Sequence, residues 1–119
     1  MPRVFVRPEA VGADRVRFDA AEAHHLRRVL RLRPGVLRID RDRFIDELTA
    51  RSIGTSVHFI PIHLHPFYRD KYGYLPDSFP VAHASYRRML SLPIHPQLTD
   101  DDVADVIEAV LDVVRTYRR

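Results

Sequence analysis

Cysteine is absent from the 119 residues, which excludes disulfides and thiolate metal sites and fits a reducing compartment. Tryptophan is absent too, and only four glycines occur. Lysine occurs once, as Lys71, among nineteen basic residues. Chemistry that requires a lysine amine therefore has one candidate, and a glycine-rich phosphate cradle has none, because no G-x-G-x-x-G is present. No apolar run approaches the roughly 18 residues of a membrane span, and Met1-Pro2-Arg3 lacks the apolar core of a signal peptide. The cytosol is the expected location.

What is present describes an ordinary globular chain. A 45% hydrophobic fraction argues against wholesale disorder. The length suits one domain, or one small domain with an appendage. The net charge of +3 is unevenly distributed. Residues 1–35 carry eight arginines and four acids, and residues 36–119 carry eleven basic residues and twelve acids. Charge balance and hydrophobic pattern both change at Pro34-Gly35, which sets the expected seam between an N-terminal segment (1–35) and a second domain (36–119).

The pattern predicts an α+β fold with a small, mainly antiparallel sheet covered by helices. Arg3–Arg7 and Arg15–Phe18 alternate as two short strands of a hairpin. A helix is expected from Asp19, with Glu22 completing a capping box, up to Pro34-Gly35, although residues 29–33 read equally well as extended. Asp40 caps a second helix through Phe44, Ile45 and Leu48, ending by Gly54. Thr55–Ile60 is a β-branched strand, and Pro61 and Pro66 then interrupt regular structure. An aromatic, turn-rich loop follows. Pro80 opens a helix expected to turn Ala82, Tyr86 and Met89 inward. After the apolar run Leu90–Ile94, Thr99 and Asp102 cap a long last helix with a valine-rich stripe.

Chemistry concentrates between Ile53 and Arg69. His58, His63 and His65, with Tyr68 and Arg69, form a candidate polar wall for a substrate or an interface. In an extended stretch His63 and His65 would share one face, and a neutral imidazole donates and accepts at once, which suits a sugar hydroxyl or a phosphate. Placed at an edge or loop, both histidines should tolerate alanine at a cost below about 1 kcal/mol. The spacing alone does not define a metal site, and none is assigned. A second candidate surface lies earlier. His24, Arg27, Arg28 and Arg31 recur at i, i+3, i+4 and i+7 of the expected first helix, a stripe that could contact RNA phosphates or simply face solvent. Asp100-Asp101-Asp102 reads as helix N-terminal charge.

Two resemblances add to this reading. Ile39-Asp40-Arg41-Asp42, Gly54-Thr55-Ser56-Val57-His58-Phe59, Pro61-Ile62-His63-Leu64-His65-Pro66, Tyr68, Phe79-Pro80-Val81-Ala82, Leu90-Ser91-Leu92-Pro93 and Thr99-Asp100 occur in the order and spacing of the C-terminal part of the DegT/DnrJ/StrS aminotransferases. The chain resembles that family over about residues 30–115. The resemblance implies the small domain of a fold-type I aminotransferase, pyridoxal phosphate as cofactor and a nucleotide-linked keto-sugar as substrate. It also implies that the Schiff-base lysine and phosphate cradle come from a large domain preceding this segment. On that basis no cofactor is expected to bind this chain alone, the catalytic residues are expected elsewhere, and the partner is a second copy or a separate large domain. Met1-Pro2-Arg3-Val4-Phe5-Val6, Ala23-His24-His25-Leu26 and Val29–Gly35 are similar to the PUA-like start of the small-subunit rRNA uracil-N3 methyltransferases. That likeness implies an RNA-binding alternative for residues 1–35, and a non-catalytic interaction domain is the third reading.

Overall fold

The computed structural model of the chain describes residues 16–18, 28–93 and 95–119. Strand β1 (Val16–Phe18), β2 (Arg28–Leu32) and β3 (Met89–Leu92) form an antiparallel sheet in the order β1-β2-β3. Its register sets Phe18 opposite Leu30 and Leu30 opposite Leu90. Two of the ambiguous residues, Leu30 and Leu32, are buried, and Leu90 and Leu92 are buried across from them. With period 2 this alternation turns one sheet face inward, and the long-range pairing decides in favour of strand over helix at 28–32. Of the two readings open for residues 29–33 the extended one is formed, and the helix does not continue to Pro34. The hairpin partner expected for β1 at Arg3–Arg7 and the start of that helix at Asp19 lie outside the described residues.

Helix α1 (Arg41–Ala50) starts where the sequence indicated, with the Asp40 carboxylate accepting from Arg43 N at 2.9 Å. It stops at Ala50, before Gly54, and Ser52 takes a left-handed φ of 62°. The final helix α4 (Asp100–Tyr117) carries the reciprocal capping box of Thr99 and Asp102. Phe44 and Leu48 of α1 meet Val110 and Val113 of α4 over Leu30 and Leu90, all six fully buried. At roughly 25 cal/mol per Å² of apolar area removed from water, each such side chain contributes about 1.5–3 kcal/mol. One sheet face and two helices thus make the core, as the α+β expectation required.

Polar contacts reinforce it. Arg51, just past α1, reaches Glu47 Oε2 at 2.9 Å and Asp112 Oδ2 of α4 at 2.7 Å, and the Tyr117 hydroxyl donates to Glu47 Oε1 at 2.8 Å. Arg41 is 8% exposed; its guanidinium donates to the carbonyls of Tyr86 and Met89 at 3.2 and 3.1 Å and lies 5.0 Å from the Tyr86 ring centre. The end of α4 is stitched to the segment after β2. Arg38 N donates to Tyr117 O at 2.8 Å, Arg119 N donates to Val36 O at 3.0 Å, and Leu37 forms a bridge with Arg118.

Between Gly54 and β3 the structure departs from expectation. The strand expected at Thr55–Ile60 is not formed, and the segment makes only one bridge, Ser56 to Ser91. The aromatic loop holds more helix than foreseen, with a 3₁₀ turn at Ile62–Leu64, α2 (Pro66–Tyr72) and a second 3₁₀ turn at Pro76–Ser78, and α3 (Pro80–Tyr86) then opens at Pro80 as expected. Ala82 of α3 is exposed, so its expected inward face is not formed there. The seam expected at Pro34-Gly35 is a turn, with Gly35 at φ 77°, inside the sheet's own connection: β2 on its N-terminal side is the middle strand.

Candidate functional site

The histidine segment is shaped by its prolines. After Pro61 the chain closes a 3₁₀ turn, in which Leu64 N donates to Pro61 O and His65 N donates to Ile62 O. Pro66 then occupies the first turn of α2, where a missing N–H costs nothing. Gly73, left-handed at φ 66°, ends that helix. A turn of three residues per revolution sets residues two apart on different sides. His63 and His65 accordingly part company, and the shared face expected for an extended stretch is not formed.

His63 is 5% exposed, with Nε2 3.2 Å from Pro76 O and its ring 4.9 Å from that of Phe79. A carbonyl only accepts, so Nε2 carries the proton. This side chain holds the first 3₁₀ turn to the second; it is part of the packing. His65 is exposed, and its Nε2 donates to Ile60 O at 3.3 Å, which leaves Nδ1 as an outward acceptor. As N-cap of α2, His65 stands three and four residues before Tyr68 and Arg69, the spacing of one helix face. Tyr68 is 40% exposed, and Arg69 engages Asp70 Oδ1 through Nε at 2.8 Å. His58 is half-buried, Nδ1 3.2 Å from the Ser91 hydroxyl of β3. The structure thus sets His65, Tyr68 and Arg69 along one helix, ties His58 to the sheet, and buries His63 between the two 3₁₀ turns.

Lys71 sits on the same short helix, its Nζ 5.4 Å from the ring centres of both Phe67 and Tyr72. The adjacent carboxylate, Asp70, is engaged by Arg69. No glycine-rich turn surrounds the lysine. Among the described residues no three His, Asp or Glu side chains gather to hold a metal. No helix among them is long and apolar enough to cross a membrane.

The arginine stripe does not survive as a helical surface. Arg28 and Arg31 fall in β2, where odd and even positions belong to opposite faces. His24 and Arg27 lie outside the described residues. Nothing here supports the RNA reading. Sequence reasoning missed Arg41, and it missed an open groove of about 610 Å³ between Arg51–Gly54 and α4. Asp102, Asp105, Glu108 and Asp112 line that groove with Arg51 and Arg115. The i, i+3, i+6, i+10 acid spacing on α4 was the available signal.

A small antiparallel sheet backed by two helices, with a helical aromatic excursion before its last strand, is the fold found in part of known sugar aminotransferases. A structure named as a sugar aminotransferase from Streptococcus pneumoniae, in its PMP form, superimposes on 91% of this chain with a TM-score of 0.76 at 24% identity, using 28% of its own length. DesV of S. venezuelae, solved with a ketimine intermediate, matches 74% of the chain with a TM-score of 0.62 at 32% identity, using 22% of its length. Among curated proteins, the spore coat polysaccharide biosynthesis protein SpsC of Bacillus subtilis is 47% identical over 98 residues, 82% of this chain and 25% of SpsC. An uncharacterized protein of Methanocaldococcus jannaschii is 56% identical over 82 residues, 69% of this chain and 21% of that protein. Residues 10–111 match the DegT/DnrJ/EryC1/StrS aminotransferase family, and the chain belongs to it. Members bind pyridoxal phosphate, as PLP-form and PMP-form structures show. The chain spans about a quarter or less of the length of these curated relatives. The methyltransferase likeness of residues 1–35 finds no support, and the family match enters that segment from residue 10.

Proposed function

We propose that the chain is the C-terminal domain of a pyridoxal-phosphate-dependent aminotransferase acting on nucleotide-linked keto-sugars, and that it has no transaminase activity alone. The cofactor supplies an electron sink for amino transfer. The residues present do not fit it. The single lysine is exposed on a seven-residue helix, above two aromatic rings, beside a carboxylate already paired and without a phosphate cradle. That placement of Lys71 carries the proposal. What this chain contributes is a wall: the outward Nδ1 of His65 as acceptor, the Tyr68 hydroxyl, and the Arg69 N–H groups not turned to Asp70 as donors to a sugar hydroxyl or phosphate. A cytosolic location completes the reading.

Incubation with pyridoxal phosphate followed by borohydride reduction and peptide mass analysis tests it. The expected result is no stoichiometric adduct and no conversion of an amino donor. One adduct per chain on Lys71, accompanied by turnover, would overturn the proposal.

A further inference from the structure

Between Ile53 and Leu90 no described side chain joins the hydrophobic core. The segment 57–88 packs on itself instead. His63, buried against Phe79 and bonded to Pro76 O, is its centre, and the rings of Tyr74 and Phe79 meet beside it at 5.2 Å. From Ile60 to Ser85, every hydrogen bond, ion pair and ring contact among the described residues closes within the segment. Its helices α2 and α3 have seven residues each, too few to persist alone in water. The segment is therefore an arm whose order depends on how it is held.

Among the described residues two junctions tie the arm to the core. On the outgoing side Ser56 N donates to Ser91 O at 3.1 Å and Ser91 N to Ser56 O at 2.6 Å, with His58 Nδ1 3.2 Å from the Ser91 hydroxyl. On the returning side Leu32 N donates to Arg88 O at 2.8 Å, and Arg41 supplies the side-chain contacts. Its Nη1 donates both to Tyr86 O, at the end of α3, and to Met89 O, at the start of β3, while the guanidinium lies over the Tyr86 ring. Arg41 belongs to α1, so one side chain of the core clasps both ends of the turn by which the arm returns. Hydrogen bonds from a charged donor are roughly twice as strong as neutral ones, which makes this the stronger of the two side-chain ties.

We propose that the arm 57–88 opens and closes as one unit apart from the core, and that Arg41 is the positioning residue that latches it, holding His65, Tyr68 and Arg69 in place. The proposal rests on the wall reading above for what the arm carries, but its test needs no ligand, so the two can fail separately. Native-state hydrogen exchange at low urea, followed by mass spectrometry, reads the opening. In the wild-type chain, peptides from α2 and α3 should exchange through one common opening, about a hundredfold or more faster than peptides around Leu48 and Val113. Arg41→Ala removes contacts that are absent both from the arm-open form and from the unfolded chain. It should therefore quicken arm and core peptides by the same factor, about thirtyfold. Arg41→Lys keeps the charge but not the planar fork, and should give a smaller common factor; it decides the matter if Arg41→Ala does not fold. Val113→Ala strips a core contact that survives arm opening and should quicken the core peptides alone. Arm peptides that exchange no faster than the core in the wild type overturn the proposal. So do arm peptides that keep their rate in the Arg41 variants while the core quickens, or that quicken with the core in Val113→Ala.

Discussion

Replacing His63 should destabilise the fold where replacing His65 does not, although the two lie in the same tripeptide. His63 loses a hydrogen bond to Pro76 O, a net contribution of about 0.5–1.5 kcal/mol. It also loses ring packing against Phe79, a further 0.5–1.5 kcal/mol or so. Pro76 is an exposed residue whose carbonyl can recruit water, and Phe79, 45% exposed, can settle into the space, which keeps the cost below the upper end of the summed ranges. The expected total for His63→Ala is about 2 kcal/mol. At about 4 °C per kcal/mol for a chain of this size, the melting temperature should fall by about 8 °C. His65→Ala removes one 3.3 Å hydrogen bond at an exposed site and should stay within about 0.5 kcal/mol. Urea denaturation followed by circular dichroism, with unchanged m-values, measures both. His63→Gln separates the terms: its amide can still donate to Pro76 O, so about half of the loss should return. Equal effects of the two alanine variants, or a cost below about 0.5 kcal/mol for His63→Ala, would refute the division of the segment into a packed and an exposed histidine. The cost below about 1 kcal/mol expected for the pair from sequence is thus revised by the burial of one member.

The Glu47 carboxyl is held below its usual range by the hydrogen bond from Arg51 and then that from Tyr117. With the folded value below the unfolded one, its stabilisation is complete above the unfolded pKa of about 4.3 and is lost as pH falls through the folded value; Glu47→Gln should therefore flatten the acid limb of a pH–melting curve, and an unchanged limb would refute the linkage. Arg41→Ala should cost about 2 kcal/mol in urea titration, because it removes charge-assisted hydrogen bonds to two carbonyls and a contact with Tyr86; a cost under about 0.5 kcal/mol would show that the guanidinium holds nothing together.

Both long-helix starts were legible because their determinants are local. Asp40 with Arg43, and Thr99 with Asp102, are contained in four residues each. Helix α2 was signalled as well: Pro66 at its first position and a left-handed Gly73 after its last are the ordinary start and stop, but the intervening aromatics drew the reading toward a loop. Residues 28–32 could not be decided locally. Val29-Leu30-Arg31-Leu32 satisfies either period, and the choice rests on β3, some sixty residues away. Thr55–Ile60 shows the converse. Its β-branched composition suits a strand, yet only Ser56 finds a partner in β3, so propensity without pairing gave a single bridge and no strand. For the site, residue identities were readable and their directions were not. Whether a histidine two residues from another points the same way depends on the turn between them, and the 3₁₀ geometry at Ile62–Leu64 reversed the expectation for His63. The burial of Arg41 left no trace in the sequence, because its partners are main-chain carbonyls.

The stitching of Val36–Arg38 to the last turn of α4 changes how that helix can open. A helix end ordinarily frays at nearly zero cost and exchanges its amide hydrogens as a private, local event. Here the last turn cannot unwind without releasing the backbone partners of Arg38 and Val36, and without baring Leu37, which is 7% exposed in the closed form. Hydrogen exchange at Arg38 and at Arg119 is therefore governed by one shared opening, although the two amides are separated by almost the whole described chain.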